Sequence, residues 1–122
     1  MKMITVKLQG AEVQAALLSP AVMKKVEEGF LNATLQIEAI GRKDELMGSE
    51  GIRAQCQVVI DYVRDIFGAD AARKVFGEET DYLTCLDVLE EMQTMYPDQV
   101  GPIIRERNKR IRENAKKAKG EK

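Results

Sequence analysis

Apolar and polar residues alternate along the first strand-like stretch, Met3-Ile4-Thr5-Val6-Lys7-Leu8. Residues 11–17 (Ala-Glu-Val-Gln-Ala-Ala-Leu) alternate in part, and Gln9-Gly10 separates the two stretches. That pattern predicts an N-terminal β-hairpin. A lone hairpin is marginal in water, so it is expected to lean on helices. Ser19-Pro20 marks a helix start, with Ser placed to cap and Pro at the first helical position. Val22, Val26, Phe30, Ala33, Ile37 and Ile40 then follow in steps of 4, 4, 3, 4 and 3, one helical face. Gly29 weakens this helix by about 1 kcal/mol relative to Ala. Gly41 occupies the place where a left-handed terminal residue would end it.

Residues 41–51, with three glycines and five charges, predict a loop. A second helix is expected from about Glu50 to Phe67. Its stripe is Ile52, Cys56, Val59, Val63 and Ile66, widened by Ile60 and Phe67. So broad an apolar face suits the central helix of a core. Gly68 and Gly77 bracket a short helix that packs through Ala72, Val75 and Phe76. Thr80 or Asp81 caps a third long helix, striped by Tyr82, Cys85, Leu89, Met92 and Tyr96. Leu83 and Leu86 widen that face, and Pro97 stops the helix. A last helix over 98–122, whose large apolar residues beyond Val100 are Ile103, Ile104 and Ile111, is expected to dock by its first turns, then project and fray. The fold class is α+β, mainly α: a hairpin, three long helices, one short helix and a basic helical tail. Residues 1–104 form one domain and residues 105–122 the tail.

Composition adds constraints. The 122 residues suffice for one domain with its own core. Aromatics make up only 5%, with no Trp, so Leu, Ile, Val, Met and Ala must build the interior. No apolar run is long enough to span a membrane, and the alternating start is unlike a signal peptide. A cytoplasmic protein is expected. The chain has no histidine, which removes imidazole zinc sites and Ser-His or Cys-His nucleophile systems. No phosphate loop, GxGxxG or DxDxDG motif occurs. Neither an enzyme nor a cofactor or metal site is expected.

Charge is divided unequally. Residues 1–104 carry 10 Lys and Arg against 17 Asp and Glu, a net of −7, whereas residues 105–122 carry 9 against 3, a net of +6. The tail cations Arg105, Arg107, Lys109, Arg110, Arg112, Lys116 and Lys117 are the candidate contact residues. They admit three readings: a solvated helix end favoured by the macrodipole, an acidic protein partner, or nucleic acid. No aromatic interleaves them, so base stacking is not offered.

Other groups have structural readings. Glu78-Glu79-Asp81 flanks a helix start, and Glu90-Glu91 lies among polar helix positions. Asp61 and Asp65 share a helix face, and a metal site there would need further ligands from another helix. Cys56 and Cys85 belong to apolar stripes and are read as reduced core thiols. Met23, Met47, Met92 and Met95 fill core gaps or serve an adaptable binding surface.

From Cys56 to Glu91 the chain reads Cys-Gln-Val-Val-Ile-Asp-Tyr-Val-Arg-Asp-Ile-Phe-Gly, then Lys74-Val75-Phe76-Gly77, then Tyr82-Leu83-Thr84-Cys85-Leu86-Asp87-Val88-Leu89-Glu90-Glu91. This stretch resembles a family of small uncharacterised proteins encoded in prophages of Gram-positive bacteria. Such proteins look like the tail assembly chaperones of long-tailed phages. The resemblance implies a non-enzymatic partner of the tape measure protein, a long apolar helical chain kept soluble until the tail tube forms around it. It implies no catalytic residue. A frameshifted longer form is common among such chaperones, and an adenine run coding Lys116-Lys117 would permit one. The expected function is therefore tail assembly chaperone, with tape measure protein or another tail protein as partner and self-association left open. The alternative is a phage adaptor or regulator that binds nucleic acid through its basic tail.

Overall fold

A computed structural model describes residues 1–42 and 48–120. Strands β1 (Ile4–Leu8) and β2 (Ala11–Ala15) pair antiparallel, with Val6 opposite Val13 and Leu8 opposite Ala11. Gln9 and Gly10 form the two-residue turn, at φ 52° and 79°. Two successive positive φ angles match the right-handed twist of the flanking strands, and glycine adopts the second without a steric cost. Ile4, Val6, Leu8, Val13 and Ala15 face inward and are buried.

Among the described residues five α-helices follow: α1 (Pro20–Gly41), α2 (Ser49–Phe67), α3 (Ala69–Phe76), α4 (Tyr82–Met95) and α5 (Gly101–Gly120). Helix α2 is central, touching α1, α3, α4 and β2. It buries Cys56, Val59, Tyr62 and Val63, as its broad apolar face requires. The hairpin lies against β2's neighbours α2 and α3 on one side, and against α4 through β1.

The three tyrosines pin these layers together. Tyr62 Oη donates to the Val26 carbonyl of α1 at 2.7 Å. Tyr82 Oη donates to Gln55 Oε1 at 2.6 Å, and Gln55 Nε2 donates back to the Gly51 carbonyl at 3.3 Å. Tyr96 Oη donates to the Leu17 carbonyl at 2.7 Å. Gln55 is thus a buried amide with a partner for its oxygen and one for its nitrogen.

Gly29 has a reason that helix propensity does not reveal. A Cβ there would lie 2.6 Å from Tyr62 Cε1 and 2.7 Å from Cδ1, so the tyrosine ring occupies the space a side chain would need. Gly29→Ala is expected to be destabilising by up to about 2 kcal/mol in a urea titration. The overpacking cost of about 1–3 kcal/mol outweighs the helical gain of about 1 kcal/mol.

Several expected boundaries move. Ser19 precedes α1 but its hydroxyl makes no capping bond, whereas Asp81 does cap α4, accepting from the Thr84 amide at 2.8 Å. Gly41 stays inside α1, and the helix closes on Arg42 in a right-handed conformation. Of the loop expected over 41–51, residues 49–51 are helical; residues 43–47, Met47 among them, lie outside the described residues. Leu83 does not widen the buried face of α4 and is 72% exposed.

The largest correction concerns Pro97, which does not stop the helix. Residues Tyr96–Val100 form a π-helical turn joining α4 to α5, and the Gly101 amide donates to the Tyr96 carbonyl five residues back. Proline lacks a donor and its ring collides with the carbonyl four residues earlier. A wider turn tolerates both, so the helical path continues. The turn also buries Val100 and aims Gln99 at the hairpin.

Gln99 and Glu91 cover the outer edge of β1. Gln99 Oε1 accepts from the Lys7 amide at 2.7 Å and Nε2 donates to the Lys7 carbonyl at 2.9 Å, the pattern of a neighbouring strand. The Glu91 carboxylate accepts from the Gln9 amide at 3.0 Å and from Gln9 Nε2 at 2.8 Å. Side chains thus occupy an edge that would otherwise template pairing with another chain. Gln99→Ala is expected to lower stability by about 1–3 kcal/mol, two hydrogen bonds at about 0.5–1.5 kcal/mol each. Hydrogen exchange at the Lys7 amide should accelerate, while amides of α2 keep their relative protection.

Candidate helix-binding surface

Packing of α1 on α2 uses only part of α1. Val26 and Ala33 are buried, and Val22, Phe30 and Ile37 are partly covered. The opposite face carries Leu31 and Leu35, 63% and 62% exposed and four residues apart, hence on one face. Glu27 and Glu28 lie one turn before Leu31, and Glu38 one turn after Leu35. Lys24 and Arg42 stand at the ends of this face, Lys24 3.9 Å from Glu28 and Arg42 3.8 Å from Glu38. Both ion pairs are exposed and contribute little. The face is therefore an apolar pair inside a carboxylate rim.

Helix α5 is the second such element. The segment expected to dock by its first turns does so through buried Val100 and the Gln99 contacts with β1, and residues 102–120 are then exposed. Ile103 and Ile104 are each 39% exposed, and the helical conformation continues to Gly120. Too little apolar surface follows Val100 to hold the segment on the body. Twenty residues of helix reach about 30 Å.

Helical spacing sorts the candidate tail residues. Arg105, Lys109, Arg112 and Lys116 follow steps of 4, 3 and 4, so they form one basic stripe, which Lys119 extends. Ile104, Ile111, Ala115 and Ala118, in steps of 7, 4 and 3, form an apolar stripe beside it. Arg107 flanks the far side of that stripe. Arg110 and Lys117 point elsewhere, and Arg110 lies 4.0 Å from Glu106. The seven cations are thus brought to one exposed helix but not to one face of it.

The other groups singled out in the sequence have local partners. Asp61 accepts from Gln57 Nε2 at 2.8 Å and from Arg64 at 3.2 Å, and Asp65 lies 3.8 Å from Lys25 of α1. Asp81 is held below the usual carboxylate range, chiefly by the Thr84 amide and then by its hydroxyl. Cys56 and Cys85 are free and buried. Burial foremost, then the neighbouring Cys56, pushes the Cys85 thiol up to about 12. Met92 and Met95 are core residues.

Two open clefts accompany these surfaces. One, of about 480 Å³, lies between the hairpin and the α2–α3 corner, with Lys74 donating to the Glu12 carbonyl at 3.0 Å beside it. The other, of about 450 Å³, lies where the start of α2 faces Glu78, Glu79 and Thr80. Among the described residues no helix is long and apolar enough to cross a membrane.

Sequence reasoning missed Leu31 and Leu35. The available signal was two large apolar residues four apart, off the packing stripe and set among glutamates. No curated protein and no solved structure matches the chain. Its residues 9–122 match the pattern of one family, and the chain belongs to that family of unknown function, DUF6673.

Proposed function

We propose that this protein is a non-catalytic, cytoplasmic holder of helices, acting as a prophage tail assembly chaperone for the tape measure protein. The carrying observation is Leu31 and Leu35, exposed in the middle of a 22-residue helix and rimmed by Glu27, Glu28 and Glu38. Large exposed apolar side chains grouped on a rigid element favour a partner. An amphipathic helix laid along α1 would cover them by the helix-on-groove mode. The acidic body, at net −7 over residues 1–104, would keep such a complex dissolved. The resemblance over Cys56–Glu91 supplies the phage setting and the partner's identity.

A second reading is favoured by the basic stripe of α5: a phage regulator gripping nucleic acid. Removal of residues 105–122 separates the two. Nucleic-acid binding would vanish with the tail and weaken steeply with salt. Holding a helix on α1 would survive the deletion. The deciding experiment is co-expression with a tape measure protein, which this reading expects to be encoded beside this chain. Transfer of that protein from the pellet to the soluble fraction supports the proposal. A tape measure protein equally insoluble with and without this chain refutes it.

A further inference from the structure

The two unpartnered helix faces match each other in chemistry. On α1, Leu31 and Leu35 sit inside a carboxylate rim. On α5, Ile104 and Ile111 form a seam beside Arg105 and Arg112. Ile111 is 64% exposed, as bare as the two leucines. Helix α5 runs on from α4 through the π turn, and within its own chain no side chain of α5 becomes buried.

We infer that α5 of one copy docks on the outer face of α1 of a second copy, giving head-to-tail self-association. Charge selects this pairing over the symmetric ones. Two α5 helices side by side would bring a net +6 segment against itself, and two α1 faces would set glutamate against glutamate. Only the mixed pair brings arginine to glutamate while covering isoleucine with leucine. Lys24 and Arg42 border the α1 face, but its central three turns, from Glu27 to Glu38, carry carboxylates alone among the charged groups pointing with the leucines. The bodies reinforce the choice, since each α5 approaches an acidic domain.

Such a contact is heterologous. Every copy keeps one free α5 and one free α1 face, so the assembly grows into a chain or closes into a ring. This self-contact does not depend on the partner proposed above. Should both exist, a partner helix and the neighbour's α5 compete for α1.

The test uses the full chain in analytical ultracentrifugation with two exposed-residue variants. Ile104→Asp with Ile111→Asp removes the donor seam, and Leu31→Asp with Leu35→Asp removes the acceptor face. Leu31, Leu35 and Ile111 are more than three-fifths exposed and Ile104 is 39% exposed, and circular dichroism checks that the helical signal is kept. The wild type should rise above its 13.7 kDa monomer mass as concentration increases. It should return towards that mass in about 1 M salt, where screening acts over about 3 Å. Each variant alone should stay monomeric. Their mixture should give a species of twice the monomer mass and nothing larger, because only one productive contact remains. A wild type monomeric at every concentration overturns the inference. So does self-association of the Leu31→Asp/Leu35→Asp variant alone, or a mixture that stays monomeric. Charge reversal is a second arm: Arg105→Glu with Arg112→Glu should abolish association, and unchanged association would count against it.

Discussion

Tyr62→Ala is expected to lower the unfolding free energy by about 3–5 kcal/mol, the cost of emptying a buried aromatic site. Tyr62 is 7% exposed and occupies the α1–α2 contact, its ring filling the gap left by Gly29 and its hydroxyl donating to the Val26 carbonyl at 2.7 Å. Removing the ring leaves α1 without its main tie to the body. Native stability of a domain this size is itself only about 5–15 kcal/mol. The alanine variant should therefore be partly unfolded at moderate urea where the wild type is intact. Tyr62→Phe keeps the ring and loses one hydrogen bond, for about 0.5–1.5 kcal/mol. The gap between the two variants in equilibrium urea unfolding separates packing from hydrogen bonding.

The same residue implies a pH dependence. Burial first, and then the charge of Tyr96, raise the Tyr62 pKa well above its ordinary value of 10.0. The folded protein thus holds the neutral phenol more tightly than the unfolded chain does. The associated stability is complete below about pH 10 and is lost as pH rises beyond it. Tyr82 and Tyr96 are shifted the same way by burial, with nearby thiols and Glu27 respectively adding to it. Tyrosinate absorbance in alkaline titration should consequently appear together with loss of helical signal, not before it.

Much of this architecture was legible in the residue order. The hairpin followed from alternation around Gln9-Gly10, and the stripes of α2, α3 and α4 from steps of three and four. Those signals are local, and burial on one face enforces them. Non-local features were not legible. Gln99 meets Lys7 across 92 positions and Glu91 meets Gln9 across 82, and no local rule links a helix-end amide to a strand edge. Gly29 looked like a weakness of α1 because its partner, the Tyr62 ring, belongs to another helix. Pro97 was misleading for a different reason. The stop rule assumes an α-helical hydrogen-bond pattern on both sides, and the π turn changes that pattern locally. Of the candidate surface, the basic stripe on α5 was visible as a charge run, but its bareness was not. Docking by the first turns was legible, but where it gives out, between Ile104 at 39% and Ile111 at 64% exposure, was not.

Leu31 and Leu35 carry the central claim, that this protein holds another helix on α1. A leucine fully covered by a partner is worth about 1.5–3 kcal/mol, so losing both should weaken binding by roughly a hundredfold or more. Because both are already exposed, Leu31→Asp with Leu35→Asp should leave the monomer's own stability within about 0.5 kcal/mol. The effect on a partner is then separable from an effect on folding. The measurement is the soluble fraction of tape measure protein co-expressed with the wild-type chain, with the double aspartate variant, or alone. A soluble partner is expected with the wild type and a pellet in the other two cases. A variant that solubilises the partner as well as the wild type does would contradict the claim.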